Sequence, residues 1–185
     1  MKASSQKNIM EPGGKSMELL DWVKTILGAI VIAFLLTQFV FSATTVKGRS
    51  MEDTLHNNDQ LFVWKLGVDG EGLSRGDIIV FHAPDANKED YIKRVIAFPH
   101  EYVQIKDGLV YINGERLEEP YINTAYTHTL LTTEWYVGEG EVFVLGDNRM
   151  EGASRDSRIF GPIAFDSIVG RAFFRFYPWS DLGGI

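Results

Sequence analysis

The feature that most constrains this chain is an uncharged run of nineteen residues from Thr25 to Ala43, TILGAIVIAFLLTQFVFSA. Coiled as a helix, it rises about 28 Å at 1.5 Å per residue, close to the ~30 Å hydrocarbon core of a bilayer. Gln38 is its one strongly polar residue and lies near the far end. Two other readings compete. A cleaved leader fits Lys24, the apolar run and the closing Phe41-Ser42-Ala43, but Phe41 is bulky where a small residue is wanted, and the run is long. A buried core helix usually alternates polar and apolar faces, whereas this segment is apolar all round. The length rule therefore favours a transmembrane helix over 25–43, with Trp22 as an interfacial residue. Residues 1–24 carry Lys2, Lys7, Lys15 and Lys24 against Glu11, Glu18 and Asp21, interrupted by Pro12-Gly13-Gly14. They are expected to form a cytoplasmic tail, although Lys47 and Arg49 beyond the span keep the charge asymmetry small.

Residues 44–185 are of a different character, with fourteen basic against twenty-two acidic side chains. Short stretches rich in Val, Ile, Phe and Tyr, bounded by Gly, Asp, Asn or Pro, predict strands. They lie at Leu61–Trp64, Asp77–His82, Tyr91–Ile96, Tyr102–Ile105, Leu109–Ile112, Val142–Leu145 and Ile168–Phe176. Asp107-Gly108 and Asn113-Gly114 supply the positive φ that tight hairpins need. Residues 121–141 read as a long hairpin or loop excursion, and nothing after residue 60 keeps a helical period. The expected fold is mainly β: an antiparallel barrel or sandwich over 44–185, preceded by one membrane helix.

Several function classes fall away on composition. The acidic balance, a pI near 5.1, argues against nucleic acid as a partner. Absence of cysteine removes disulfides, thiolate metal sites and thiol nucleophiles together. His56, His82, His100 and His128 share no metal-ligand spacing, and His100-Glu101 is followed by Gln104 where a zinc helix would carry its second His. Neither a dinucleotide loop nor a Walker lysine motif is present, so no cofactor and no metal are expected.

Three segments carry chemistry instead. Val46-Lys47-Gly48-Arg49-Ser50-Met51-Glu52-Asp53-Thr54-Leu55 follows the apolar run and sets a serine on an uncrowded backbone, though an ordinary polar linker would look the same. In Tyr91-Ile92-Lys93-Arg94-Val95-Ile96, strand alternation puts Lys93 on one face between Tyr91 and Val95, where apolar neighbours can draw it in; the plain alternative is a snorkelling edge lysine. Gly146-Asp147-Asn148-Arg149, then Ser154, Asp156-Ser157-Arg158 and Gly161, mixes acids, bases and turn formers, which could simply build a salt-bridged loop.

Together with Val103–Gly114, Glu119-Pro120-Tyr121 and Phe174–Trp179, these segments resemble the type I signal peptidases of bacteria in order and spacing. The resemblance implies a membrane-anchored serine endopeptidase that removes signal peptides from secretory preproteins, cutting after small residues at −1 and −3. It implies Ser50 as nucleophile, Lys93 as general base, and Ser154 as the hydroxyl that orients the lysine. Asp156 and Arg158 match the pair that braces the site, and Asp147 and Arg149 fall on the family's Gly-Asp-Asn-Arg motif. It further implies a single pass through the bacterial cell membrane, with the lipid bilayer as partner, the N-terminus cytoplasmic and the catalytic domain extracytoplasmic. The chain departs from the family at Asp53, where Pro is usual, and at Ala97-Phe98-Pro99-His100-Glu101, which replaces a glycine-rich sequence. It departs again in the longer gap from Arg149 to Ser154, and at Gly48, where some members carry a serine that binds the oxyanion. A catalytically silent, membrane-tethered scaffold is the alternative function, and the retention of both Ser50 and Lys93 speaks against it. A soluble self-cleaving repressor would need a DNA-binding domain in place of the apolar helix.

Overall fold

A computed structural model describes residues 14–70, 72–85, 89–122, 124–129 and 132–185. The chain divides into two compact units, Met1–Gln38 and Phe39–Ile185. The first holds all but the last residue of helix α1 (Gly14–Phe39), which is exposed at every position from Glu18 to Phe39. Over Glu18–Phe39 it is long and apolar enough to cross a membrane. Its threonine hydroxyls are satisfied internally: Thr25 donates to the Asp21 carbonyl at 2.8 Å, and Thr37 to those of Ala33 and Phe34 at 3.1 and 3.0 Å.

The helix boundaries differ from the expected 25–43. It starts at Gly14, immediately after Pro12-Gly13, and takes in Lys15, Glu18, Asp21 and Lys24; charge marks the end of an apolar run without stopping a helix. At the other end, Phe41–Thr45 is not helical but is strand β1, paired antiparallel with Gln60–Trp64 (β2). Hydropathy cannot distinguish an apolar residue that faces lipid from one that joins a sheet. The tail residues 1–13 lie outside the described residues.

The second unit continues through β3 (Ile78–His82), β4 (Asp90–Ala97), β5 (Tyr102–Lys106), β6 (Leu109–Ile112), β7 (Glu115–Arg116), β8 (Glu134–Tyr136) and β9 (Glu141–Leu145). A single helical turn, α2 (Ser157–Phe160), precedes β10 (Ile163–Ala164), β11 (Ile168–Tyr177) and β12 (Gly183–Gly184). All pairings are antiparallel. The larger sheet runs β1-β2-β11-β3-β4-β9-β10, with β12 added beside β11; the smaller runs β7-β6-β5-β8. The larger sheet ends at β1 and β10 without closing, so the expected barrel or sandwich is a sandwich-like arrangement of two sheets.

Local chemistry explains the small sheet. Asp107 and Gly108 have φ of 51° and 76°, and Asn113 and Gly114 have 53° and 86°. Two consecutive positive φ values make the turns whose twist matches paired strands. They close β5 onto β6 and β6 onto β7. Ile105, Val110 and Ile112 from this sheet then bury against Ile96, Phe143 and Leu145 of the large one. Within the 121–141 excursion, Glu134–Tyr136 is strand, laid along β5. A second cluster, Val46, Met51, Leu55, Leu61, Val63, Ile78, Val80 and Ile92, fixes the segment around Ser50 onto β2, β3 and β4.

Close approach of β11 to β2 depends on Gly170. A Cβ there would stand 2.5 Å from the Trp64 carbonyl oxygen and 2.6 Å from Val63 Cγ1. Gly170→Ala is expected to destabilise the chain by about 2 kcal/mol through overpacking, measured by urea unfolding of the detergent-solubilised protein.

Candidate active site

Ser50 sits on a turn pinned at both ends. Val46 N–H donates to the Asp59 carbonyl at 2.8 Å, and the Val46 carbonyl accepts from Asn58 N–H at 2.9 Å. Gly48, with φ of 87°, makes the bend, and its N–H is committed to Asn57 Oδ1 at 2.9 Å. Beyond the serine, Met51 and Leu55 are 1% and 0% exposed, which anchors the turn in the core. Ser50 is left half-buried at its tip.

Strand β4 brings Lys93 to this serine. Lys93 Nζ donates to Ser50 Oγ at 2.8 Å and to its neighbour's carbonyl, Ile92 O, at 2.8 Å. The side chain is 4% exposed, and Nζ lies 5.3 Å from the centre of the Tyr91 ring, as the strand alternation requires. Burial pushes the amine down from 10.5 to about 8. Asp156 and Asp147 oppose that fall by favouring the ammonium, and Arg158 adds to it. Both groups open onto a cleft of about 840 Å³, lined by Ala43–Met51 on one side and Glu89–Lys93 on the other.

The Gly146–Arg149 segment clamps the serine turn. Asn148 N–H donates to the Ser50 carbonyl at 3.0 Å, and Asn148 Nδ2 to the Arg49 carbonyl at 3.1 Å. Gly146 has no room for a side chain: a Cβ would clash with Ser154 Oγ and with the Ser50 carbonyl. Asp147, 0% exposed, accepts two bonds from Arg94 at 2.8 and 2.6 Å and one from Thr54 Oγ1 at 2.6 Å. Arg94 is the chain neighbour of Lys93, and Thr54 lies one helical turn past Ser50. One carboxylate thus fixes the lysine strand relative to the serine turn.

The remaining expected residues stand around this pair. Ser154 is buried, and its hydroxyl has no hydrogen-bond partner among the described residues, though its proximity helps keep Asp156 ionised. It does not hold Lys93 here; the lysine's second bond goes to Ile92 O. Asp156 caps α2 and accepts from Gly146 N–H at 3.0 Å and from Arg158 at 2.8 and 2.7 Å. Burial alone would raise its carboxyl, but the Arg158 guanidinium and the Gly146 N–H outweigh burial and hold it below the usual carboxylate range. Arg158 also donates to the His128 carbonyl at 2.9 Å, gathering in the 121–141 excursion. Arg149, 0% exposed, pairs with Glu119 and donates to the Gly146 carbonyl at 2.7 Å and to Thr127 Oγ1 at 3.0 Å.

Sequence reasoning missed Thr54, Arg94, Asn148 and the roles of Glu119 and Tyr121. Arg94 left a signal: it stands between Ile92 and Ile96 on one strand face, and a cation between two apolar residues there needs a buried partner. Tyr121 stacks its ring 4.0 Å from the Arg94 guanidinium while its hydroxyl donates to Glu119 at 2.9 Å. Those contacts join segments far apart in the chain and leave no local pattern. Among the described residues, no three His, Asp or Glu side chains gather as a metal site.

A family model for signal peptidase, peptidase S26, covers residues 19–179. Signal peptidase IB of Staphylococcus aureus is 39% identical over 181 residues, spanning 89% of this chain and 92% of that protein. Signal peptidase I T of Bacillus subtilis is 40% identical over 178 residues, spanning 91% and 90%. A crystal structure of a signal peptidase I from Enterococcus faecalis is 35% identical, covering 54% of this chain and 95% of that one at a TM-score of 0.45. The chain is a hydrolase of the serine peptidase class. More particularly, it belongs to the signal peptidase family, peptidase S26.

Breaking the Arg94–Asp147 pair leaves a guanidinium whose side chain is only 10% exposed without its carboxylate, although the Gly76 carbonyl still accepts from it at 2.7 Å. Asp147→Ala is expected to cost about 3–5 kcal/mol of unfolding free energy, read by chemical denaturation.

Proposed function

We propose that this chain is a membrane-anchored serine endopeptidase that removes N-terminal signal peptides from secreted preproteins, with Ser50 as nucleophile and Lys93 as general base. The observation that carries this reading is the 2.8 Å contact from Lys93 Nζ to Ser50 Oγ, made by an amine that burial has brought to about 8. At that value roughly one amine in ten is neutral at pH 7, against about one in three thousand for an unshifted lysine. The neutral amine accepts the hydroxyl proton as Ser50 Oγ attacks the scissile carbonyl, giving an acyl-enzyme. Lys93 then passes the proton to the leaving amine and activates the water that releases the acyl group. Ser154, whose hydroxyl is uncommitted, is the group next to the pair that can orient the neutral amine. The Ser50 N–H donates to no described group and is free to meet the developing oxyanion. Gly48 N–H is not available for that role because Asn57 holds it.

Extended substrate fits the cleft by strand addition. β1 is an edge strand, and β4 pairs with β9 only from Arg94 onward, so both cleft walls offer unpaired backbone near the serine. Specificity for small residues at −1 and −3 belongs to this reading by family likeness. α1 serves as the single-pass anchor, with the N-terminus cytoplasmic and residues 44–185 as the extracytoplasmic catalytic domain. Ser50 follows the helix end at Phe39 by eleven residues, a short tether to the lipid surface.

Activity should rise with pH through a limb near 8 and level off above it, because protonation of Lys93 removes the base; a pH profile of kcat/KM on a purified preprotein measures this. Ser50→Ala should abolish cleavage in the same assay, and a Ser50→Ala protein as active as the wild type would sink the assignment. The same burial bears on stability. Because the folded lysine titrates below its unfolded value, folding is disfavoured below pH 8 by on the order of 3 kcal/mol relative to high pH. Lys93→Met is therefore expected to be inactive yet more stable at pH 7. That advantage should shrink between pH 8 and 10.5, as the wild-type lysine becomes neutral in the folded state first.

A further inference from the structure

One cluster at the cleft has no part in the chemistry above. Tyr91 stands beside Lys93, and its hydroxyl donates to Asp85 Oδ2 at 2.8 Å. Arg155 Nη2 reaches the same oxygen at 3.1 Å. Asp85 lies in the connection from β3 to β4, whereas Arg155 lies in the segment between β9 and α2 that also carries Gly146 and Ser154. The Asp85 side chain is 12% exposed and that of Arg155 is 57% exposed. One carboxylate thus ties two loops to a single aromatic ring, and Tyr91, Lys93, Ser50 and Arg155 all line the same cleft.

We propose that the Arg155–Asp85 ion pair is a specificity-determining brace: it pins the Tyr91 ring beside the scissile position and so limits the size of the substrate side chain that fits there. The inference rests on the peptidase reading and deepens it by naming what sets the width of the cleft. A tyrosine ring on a strand moves by rotation about its first side-chain bond, and a hydrogen bond to an ionised acceptor restrains that rotation more firmly than one to a neutral group. Arg155 holds that acceptor from the opposite loop, so the ring cannot swing out without breaking a charged contact. An ion pair this exposed on one side contributes little to folding. Its loss is therefore expected in substrate selection and not in the unfolding transition. A pair that merely joined two loops would do neither.

The test uses the full chain in detergent micelles and two preproteins that differ only in Ala or Val before the scissile bond. The wild type should favour Ala by about 100-fold in kcat/KM, the scale expected when added methyl groups meet a fixed wall. Arg155→Ala and Tyr91→Phe should each reduce that ratio five- to tenfold, on the order of one misfitted methylene. Arg155→Lys should recover most of it. Tyr91→Phe keeps the ring and deletes only its hydroxyl, so it decides the matter alone if Arg155→Ala fails to fold. An unchanged Ala-to-Val ratio in Tyr91→Phe overturns the brace, whatever Arg155→Ala does, and so does a wild type that cuts both substrates equally. A wild type that cuts neither overturns the peptidase reading and this inference with it.

Discussion

An amine held out of water against a hydroxyl is the constraint around which the rest of the molecule is arranged. Lys93 is 4% exposed, and its ammonium would be costly in that position without help. The neighbouring carboxylates would provide that help and restore the charge if they were bare. They are not bare: Asp147 is bonded twice by Arg94, and Asp156 twice by Arg158. A guanidinium stays protonated at any accessible pH and presents a planar fork that matches a carboxylate, so each acid is offset by a fixed cation. Desolvation then outweighs attraction, and the lysine comes down to about 8.

The same ion pairs set distances. Asp147 links the residue after Lys93 to Thr54 on the serine turn, and Asn148 binds the serine turn through its backbone and its side chain. Arg149 and Arg158 draw the Glu119–His128 segment against the back of this loop. Buried ion pairs of this kind add little net stability over well-packed apolar side chains, but they tolerate few alternative geometries. Here they hold two strands and two loops in register around one 2.8 Å contact. A lysine kept partly neutral opposes folding at neutral pH, and the apolar clusters on both faces of the large sheet must offset it.

Much of the fold was legible in the sequence where the cause is local. Asp107-Gly108 and Asn113-Gly114 announce their hairpins because few residues accept positive φ. The seven strands expected between Leu61 and Phe176 match the structure to within a residue, because alternation and β-branching reflect a half-buried pleated surface, whereas the two-residue β7 and β10 leave no such pattern. Phe41–Ala43 reads as the end of the membrane run, whereas the pairing of Phe41–Thr45 with Gln60–Trp64 depends on residues fifteen or more positions away. Glu134–Tyr136 was hidden in a long excursion for the same reason: three residues carry too little pattern to declare a strand.

The candidate site divides along similar lines. Ser50, Lys93, Asp147, Arg149, Ser154, Asp156 and Arg158 are named from motif order; in the structure Ser50 and Lys93 line one cleft, whereas Asp147, Arg149, Ser154 and Asp156 are buried. An apolar helix, a run of strands, tight turns and a serine and lysine of suitable type follow from the residues alone, because each is a property of neighbours in the chain. That Arg94 meets Asp147, that Ser154 lies beside the pair without bonding Lys93, and that the amine loses its water come from folding. Solvation and hydrogen bonding depend on what surrounds a group in space, and β4 acquires those surroundings only when β3, the serine turn and the Gly146–Arg158 segment close around it.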